Sequence, residues 1–336
     1  MIESSYFEKL SDDDIKCTLC PHYCILVNEE RGKCGVRKNL SGKLITENYG
    51  VLSAIHLDPV EKKPLYHYYP GSSILSIGSV GCNLNCSFCQ NCDISQTTVD
   101  DYPWLTHYTI DQVLSFDNDT DNNIGIAYTY NEPTVYFEFM MDLAREAKKR
   151  QLKNVMVSNG FIAMEPLAEI IEMIDAFNID IKSFQNKFYK QYTGARVKPI
   201  QNVVKKIRES GKHLEITNLI IPTVNDDVKE FENLLKWILD NLGSETVLHL
   251  SRYFPAYKLT IPATPEDLLI KLYNIAIKYL PYTYIGNIDL ETGQNTICPS
   301  CSALLVERKS GYKTHIKSLD SRGHCVSCGL QVIKHI

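Results

Sequence analysis

The chain has 336 residues, of which 44% are hydrophobic and 22% charged, and its formal net charge is -5. This length allows two or three domains with a sizeable core, and the small net charge gives no global electrostatic reason to bind nucleic acid or an anionic membrane. The acidic N-terminus has no apolar signal segment and no apolar run approaches the roughly 20 residues of a membrane span, so we expect a cytoplasmic protein with no membrane partner.

The twelve cysteines fall into three groups, at positions 17–34, 82–92 and 298–328. Metal sites distribute thiols in this way, whereas the disulfide framework of a small secreted domain does not. The grouping predicts metal binding in a reducing compartment. It also suggests three domains, a four-cysteine metal-binding region at 1–70, a central domain at 71–290 and a zinc-ribbon-like domain at 291–336.

The first group has the spacing C-x2-C-x3-C-x9-C, with Gly32 and Gly35 placed for tight turns. Four thiols within eighteen residues are typical of a tetrahedral zinc site, which is the interpretation we favour. A second iron–sulfur cluster remains an alternative, and His22 could replace one thiol. The four candidate ligands are Cys17, Cys20, Cys24 and Cys34.

The second group follows an apolar run at 73–80 that predicts a buried strand. Cys82, Cys86 and Cys89 have the spacing C-x3-C-x2-C, so they can bind three irons of a four-iron cluster and leave the fourth iron open. S-adenosylmethionine (SAM) needs such an iron for its amino and carboxylate groups. A three-cysteine zinc site is the less favoured alternative. Cys92 is either a replacement ligand or an ordinary buried thiol, and we favour the thiol.

From 73 to about 290, short apolar runs alternate with amphipathic helical patterns, for example at 134–150 and 199–210. This alternation predicts an α/β fold with a parallel sheet, a partial (β/α)6-type TIM barrel. Polar groups follow the strands and should converge at their carboxyl ends, beside the cysteine loop. The predicted strands are 73–80, 124–129, 154–158, 176–181, 214–221, 247–250 and, less clearly, 282–285.

The third group consists of two C-x2-C pairs in the tail. The spacing predicts a zinc ribbon. Because the tail has no basic run beyond Arg308 and Lys309, we favour a structural cap or a protein-docking role over nucleic-acid binding. The ligands are Cys298, Cys301, Cys325 and Cys328.

A site that binds SAM needs groups for its amino acid moiety, its ribose and its adenine. Charges at strand ends are expensive to bury unless they pair or contact a ligand. Asp180 and Lys182 could equally form a structural pair, and His249 is more often a core histidine. The candidate SAM contacts are Asn131, Glu132, Ser158, Asn159, Asp180 and Lys182, with Thr217 and Arg252 as weaker candidates.

The cysteine stretch resembles the signature of the radical SAM superfamily, including the aromatic Phe88 before the third cysteine, which the resemblance places in the cofactor site. The central domain is similar to the glycyl-radical activating enzymes, among them the pyruvate formate-lyase activating enzymes. The similarity lies in Asn-Glu-Pro at 131–133, Ser-Asn-Gly at 158–160 and Asp-Ile-Lys at 180–182. It implies SAM contacts at these positions.

The whole chain further resembles the radical SAM proteins of the AmmeMemoRadiSam system, from about residue 15 to the ribbon. The shared motifs include Cys-Pro-His-Tyr-Cys at 20–24, Gly-Lys-Cys-Gly-Val-Arg at 32–37, the segment 58–67, and Ser-Arg-Tyr-Phe-Pro at 251–255. Cys92 departs from this pattern, which has a bulky aromatic there. The resemblance implies a Memo-like and an AMMECR-type protein as partners, and an electron donor such as flavodoxin or ferredoxin.

The favoured function is therefore an oxidoreductase or activating-enzyme-like radical SAM enzyme. It would cleave SAM reductively and abstract hydrogen from an unidentified substrate through the 5'-deoxyadenosyl radical. Activation of a glycyl-radical enzyme is the alternative. A zinc-dependent nucleic-acid-binding or scaffold protein is the alternative from another class.

Overall fold

A computed structural model describes residues 2–116 and 122–336, which include all twelve cysteines. None of the described helices has both the length and the hydropathy that a membrane crossing requires. In chain order the described strands are β1 (Ile2–Glu3), β2 (Phe7–Lys9), β3 (Ile15–Cys17), β4 (Ile25–Leu26), β5 (Arg37–Leu40), β6 (Lys43–Thr46), β7 (Val51–Leu52), β8 (Ala54–Pro59), β9 (Ser73–Gly78), β10 (Thr106–His107), β11 (Asn123–Tyr128), β12 (Lys153–Ser158), β13 (Ala176–Asp180), β14 (His213–Ile220), β15 (Val247–Arg252), β16 (Thr283–Gly286), β17 (Thr296–Ile297), β18 (Leu304–Lys309) and β19 (Lys313–Ile316).

The described helices pack against the strands. Short 3-10 turns lie at Val60–Lys62, Pro133–Tyr136 and Ser310–Tyr312. The helix predicted at 134–150 therefore starts as a 3-10 turn and becomes α-helical only at Phe137. The α-helices are α1 (Cys92–Ser95), α2 (Ile110–Ser115), α3 (Phe137–Lys149), α4 (Met164–Met173), α5 (Asn186–Tyr192), α6 (Val197–Glu209), α7 (Val228–Leu242) and α8 (Glu266–Ala276).

An eight-stranded sheet forms the centre of the molecule, in the order β16-β15-β14-β13-β12-β11-β9-β8. Seven of its strands, β9 and β11 to β16, pair in parallel, which confirms the predicted α/β class and the partial barrel. The strands are mostly buried because helices cover their outer face. On α6, for example, Ile200, Val203, Val204 and Ile207 are buried at the spacing of one helix face.

The eighth strand, β8, is an edge strand and lies within the N-terminal region that the sequence predicted at 1–70. It pairs antiparallel with β9, from Ala54 opposite Gly78 to Pro59 opposite Ser73. Its residues alternate poorly between buried and exposed, which is why no strand pattern is visible in the sequence. The division at residue 70 stays a prediction, since this strand extends the central sheet.

Small antiparallel sheets lie before and after the barrel. In the N-terminal part the strand orders are β1-β6-β5 and β2-β3-β4, and in the tail β17-β18-β19. Buried Arg308 fixes the tail to the barrel, because its guanidinium donates to Tyr66 O at 2.7 Å and lies 4.1 Å from the centre of the Tyr66 ring. The tail therefore packs on the segment that precedes β9.

A buried polar cluster lies inside the barrel around Glu215. This carboxylate accepts hydrogen bonds from the backbone N–H groups of Tyr66 and His67, and its oxygens lie 2.9 Å from His213 Nε2 and 2.6 Å from His249 Nε2. His249 is thus a satisfied core histidine. The contacts of Glu215 hold the segment before β9 against β14 and β15.

Candidate active site

The central cysteines lie on the loop between β9 and α1. Gly81 has φ +85°, and a Cβ there would lie 2.5 Å from the carbonyl oxygen of Cys34, so this position requires glycine. Asn131 holds the same loop, because its Oδ1 accepts from Ser79 N at 3.0 Å and its Nδ2 donates to Gly81 O at 2.9 Å. The start of the cysteine loop is thereby fixed to the end of β11.

A second anchor connects this loop to the loop after β12. Asn159 Nδ2 donates to Asn83 Oδ1 at 2.9 Å, and Asn83 Nδ2 donates to Phe161 O at 2.8 Å. Asn159 Nδ2 also lies 3.7 Å from Cys82 Sγ. The buried side-chain amides of Asn83 and Asn159 thus connect the loop that carries Cys82 to the loop after β12.

The three cysteines open into a cavity of about 810 Å³ at the carboxyl ends of the parallel strands. This is the edge of a barrel at which catalytic groups gather. The structure brings eleven predicted site residues together around it, namely Cys82, Cys86, Phe88, Cys89, Asn131, Glu132, Ser158, Asn159, Asp180, Lys182 and Thr217.

Arg252 is the predicted contact that does not line this cavity. Its Nε donates to Thr264 O at 2.9 Å, and its guanidinium lies 5.0 Å from the centre of the Phe254 ring. Successive side chains of a strand point to opposite faces. On β15 His249 and Ser251 face the barrel interior, so Ser251 lines the cavity and Arg252 points away from it.

Glu132 lies at the end of the loop after β11 and is only 2% exposed. Its Oε1 accepts from Thr134 N at 3.1 Å, Thr134 Oγ1 at 2.6 Å and Ser158 Oγ at 2.8 Å, while its Oε2 accepts from Asn159 N at 2.9 Å. Burial raises the pKa of this carboxyl, and the four donors oppose that rise. The side chain joins two loops of the site and caps the turn at Pro133–Tyr136.

Asp180 and Lys182 form an ion pair at the end of β13, with 2.8 Å between Lys182 Nζ and Asp180 Oδ2. Burial alone would lower the pKa of Lys182, but the Asp180 carboxylate and the Cys86 sulfur outweigh it and raise the pKa. In the described residues this pair leaves the second carboxylate oxygen and two ammonium protons without a protein partner. Asp180 and Lys182 therefore have polar capacity for a ligand.

The central sulfurs suit a cluster better than a single ion. A tetrahedral zinc site places its four sulfurs about 3.8 Å apart, because each Zn–S bond is about 2.3 Å. Within residues 2–116 and 122–336, only the C-terminal set has three or more ligand atoms within 4.8 Å of one another. The thiols of a cubane bind separate irons and therefore lie farther apart.

Burial raises the pKa of the Cys82 thiol, and that of Cys86 to about 12. Desolvation disfavours a free thiolate, and the Glu132 carboxylate adds to the effect at Cys82. Iron binding replaces the thiol proton, so a donor set of three thiols on one loop, with Cys86 buried and Cys82 and Cys89 partly buried, fits an iron–sulfur cluster.

Cys92 does not belong to this donor set. It is the first residue of α1, is partly exposed, and does not line the cavity. Its Sγ lies 3.7 Å from Asp93 Oδ1. The sequence-based expectation of a buried thiol is thus corrected to a partly exposed one, because Cys92 begins a short helix outside the lining of the cavity.

The C-terminal set has the geometry of a single-ion site. The sulfurs of Cys298 and Cys328 are 3.6 Å apart, as are those of Cys301 and Cys325. These distances agree with a tetrahedral site of four thiolates. The four residues can therefore hold one metal ion.

The opposite wall of the central cavity comes from a segment that sequence reasoning did not assign to the site. Asp58 at the end of β8 accepts from Lys62 at 3.1 Å, Lys63 at 2.8 Å and the Tyr130 hydroxyl at 2.6 Å. Burial alone would raise the pKa of Asp58, but these donors hold it below its usual value. Tyr312 of the tail also reaches the cavity. The sequence feature that could have indicated this wall is the pair of adjacent lysines, Lys62 and Lys63, shortly after Asp58.

Known proteins are similar to this chain over its central part and over its full length. Residues 76–238 match the family described as Radical SAM superfamily. An uncharacterised protein of Methanocaldococcus jannaschii is 41% identical over 337 residues, which cover 99% of each chain.

A pyruvate formate-lyase-activating enzyme of Clostridium pasteurianum is 23% identical over 160 residues, covering 46% of this chain and 66% of that enzyme. The crystal structure of a radical SAM methyltransferase from Sphaerobacter thermophilus has a TM-score of 0.52 and 12% identity, covering 85% of this chain and 76% of that one. This structural likeness concerns the fold alone.

Proposed function

Because this chain belongs to the radical SAM superfamily, we propose that it binds one [4Fe-4S] cluster through Cys82, Cys86 and Cys89, cleaves SAM reductively and abstracts hydrogen from an unidentified substrate. When bound, such a cluster would provide the electron that cleaves SAM to methionine and the 5'-deoxyadenosyl radical. The observation that carries the proposal is the placement of three thiols at one cavity with the polar ends of the parallel strands.

In this proposal Asp180 and Lys182 bind the amino acid moiety of SAM. Their ion pair presents both signs of charge, which matches the carboxylate and the ammonium group of that moiety. Thr217 lines the same part of the cavity, and its hydroxyl donates to Asn178 Oδ1 at 2.9 Å. Phe88 and Leu84 add apolar surface beside the cysteines.

Asn131, Glu132, Ser158 and Asn159 act as positioning residues in the same proposal. Their polar atoms contact the loops that carry Cys82 and the turn at Pro133–Tyr136. Such supporting contacts hold reactive groups in place. Loss of one of them would displace the cysteine loop relative to the strand ends.

Activation of a glycyl-radical enzyme is a second candidate, supported by relatives that carry such names. Besides the Clostridium pasteurianum enzyme, the 4-hydroxyphenylacetate decarboxylase activating enzyme of Clostridium scatologenes is 22% identical, covering 41% of this chain and 46% of that enzyme. The chain spans less than two thirds of the length of both enzymes. The hydrogen donor would then be a backbone glycine of a partner protein.

The wider setting is proposed from the sequence motifs. Membership of the AmmeMemoRadiSam system rests on the motifs at 20–24, 32–37, 58–67 and 251–255, and it brings a Memo-like and an AMMECR-type protein as partners. A flavodoxin or ferredoxin would deliver the electron. The grouped thiols favour the reducing cytoplasm. The close sulfurs of the tail favour zinc there.

Anaerobic reconstitution with iron and sulfide tests the central proposal. The reduced wild-type protein should give the EPR signal of a [4Fe-4S] cluster that changes on addition of SAM, and Cys86→Ala should lose the SAM-sensitive signal. Cys92→Ala, which removes a thiol outside the cavity, is the matched control and should retain it. Zinc without iron in the wild-type protein would instead favour a zinc scaffold.

A further inference from the structure

The four N-terminal cysteines line one small enclosed pocket, separate from the central cavity. Cys17 ends β3, and the other three lie on the loops around β4 and before β5. A Cβ built on Gly32 would lie 3.8 Å from Cys34 Sγ and 3.9 Å from Cys24 Sγ. Any side chain at position 32 would therefore enter the space between these sulfurs.

The spacing of these sulfurs differs from that of the tail. In residues 2–116 and 122–336, the set Cys298, Cys301, Cys325 and Cys328 is the one whose ligand atoms lie within 4.8 Å of one another. No three N-terminal sulfurs meet this limit, although all four share the pocket. In the described residues no three of the central sulfurs meet the limit either. The N-terminal set therefore lacks the close sulfur spacing that a single-ion site requires and that the tail has.

A buried charge faces the same pocket. Arg37 is 1% exposed, and its Nη2 pairs with Glu138. Its Nε and Nη1 have no hydrogen-bond partner in the described part of the chain. Arg37 lines the pocket together with the four cysteines. Two unpaired guanidinium donors are costly to bury, so they indicate an anionic group in the pocket that accepts hydrogen bonds.

The pocket also adjoins the central site. The carbonyl oxygen of Cys34 packs against Gly81, one residue before Cys82. His22 Nε2 lies 2.7 Å from Asn83 O, so that nitrogen already has a partner in the cysteine loop. Asn83 lines the N-terminal pocket, whereas its neighbours Cys82 and Leu84 line the central cavity. One stretch of backbone therefore separates the two groups of thiols.

We propose that Cys17, Cys20, Cys24 and Cys34 bind a second [4Fe-4S] cluster, next to the first. Four thiolates close such a cluster, so no iron is left open for SAM. Its negative charge and its sulfide acceptors suit the unpaired donors of Arg37. The sequence pattern at these cysteines favoured zinc. The spacing of ligands along the chain could not decide the matter, because four cysteines can bind either one zinc ion or a cluster of four irons.

Metal analysis of a variant that lacks the central ligands tests this site in its native form. Cys82→Ala/Cys86→Ala/Cys89→Ala leaves all four N-terminal thiols in place. After anaerobic reconstitution it should hold about four irons and four sulfides per chain, with about one zinc in the tail. Its reduced form should give an EPR signal that SAM does not change. A variant with about two zinc and no iron would overturn the proposal.

The reciprocal variant, Cys20→Ser/Cys34→Ser, should lose about four of about eight irons and keep its zinc. Loss of zinc with unchanged iron would contradict the proposal. If the N-terminal variant loses all iron while the central variant retains its iron, the second cluster stands and the proposed SAM site fails. The two proposals are thus tested separately.

Arg37 provides a further readout within the central triple variant. Arg37→Lys keeps a buried positive charge, whereas Arg37→Met paired with Glu138→Gln removes the charge without stranding the carboxylate. Because the double variant loses one positive and one negative charge, the effect of Arg37 is its difference from Glu138→Gln alone. Relative to Glu138→Gln, loss of the guanidinium should lower the reduction potential of the N-terminal cluster, measured by EPR-monitored redox titration, whereas Arg37→Lys should stay closer to the potential of the central triple variant. Equal potentials in the double variant and in Glu138→Gln would contradict a role of Arg37 toward the cluster.

Discussion

Replacement of Glu132 by glutamine separates a structural role of this carboxylate from a role in SAM binding. Its four accepted hydrogen bonds come from Thr134, Ser158 and Asn159. An amide nitrogen is best tolerated at the position of Oε2, which accepts one bond. There it would face the N–H of Asn159, so two donors would meet at 2.9 Å.

The magnitude follows from these contacts. The change removes one charge-assisted hydrogen bond, worth about 1.5 to 3 kcal/mol, and leaves a buried N–H unsatisfied, at about 1 to 3 kcal/mol. The lost hydrogen bond and the unsatisfied N–H concern the same contact, so their costs are not fully additive. We expect Glu132→Gln to lower the free energy of unfolding by about 2 to 5 kcal/mol. Glu209→Gln, at an exposed helix end, is the control and should stay within about 0.5 kcal/mol of wild type.

Urea denaturation under anaerobic conditions, followed by tryptophan fluorescence, measures this difference. SAM affinity is measured on the same preparations by equilibrium dialysis. If Glu132→Gln keeps wild-type stability but loses SAM binding, the carboxylate contacts SAM directly and the reasoning from its protein contacts is refuted.

Three further predictions follow from the described contacts. Asp180→Asn should weaken SAM binding by about ten- to a hundredfold, measured by equilibrium dialysis, whereas Arg252→Ala should leave it unchanged; unaltered affinity with reduced stability in Asp180→Asn would mark a structural pair. Burial lowers the pKa of His67 to about 3, so below about pH 6.5 the unfolded state binds a proton at this residue that the folded state does not. The free energy of unfolding should therefore fall by about 2 kcal/mol between pH 7 and 5. The midpoint of urea denaturation should depend less on pH in His67→Gln than in wild type, and an equal dependence would contradict this assignment. Cys325→Ser should lose about one zinc per chain in metal analysis while its iron stays constant; retention of zinc would place the ion elsewhere.

The parallel strands could be predicted because each is a continuous apolar run that ends in polar residues. That pattern sufficed to bring Asp180, Lys182 and Thr217 to one edge of the sheet. It could not decide the outcome at β15, where the orientation of Ser251 and Arg252 depends on which residues pair with β14 and β16. The alternation of side chains along β15 therefore decides which of these two residues lines the cavity.

The roles of loop residues needed the tertiary structure. Asn131 is placed at a strand end by its sequence, but its contacts are the backbone groups of Ser79 and Gly81, about fifty positions earlier. Asp58 and Lys62 reach the cavity because β8 pairs with β9 at the edge of the sheet. Such long-range contacts leave no periodic signal in the sequence.

Formation of 5'-deoxyadenosine tests the central proposal most directly. The anaerobically reconstituted protein is incubated with SAM and dithionite, and the product is quantified by liquid chromatography with mass spectrometry. We predict that the wild-type protein forms 5'-deoxyadenosine and methionine in equal amounts, and that Cys86→Ala forms neither above background. A wild-type protein with full iron content that produces no 5'-deoxyadenosine, or a Cys86→Ala protein that produces as much as wild type, would contradict the proposal.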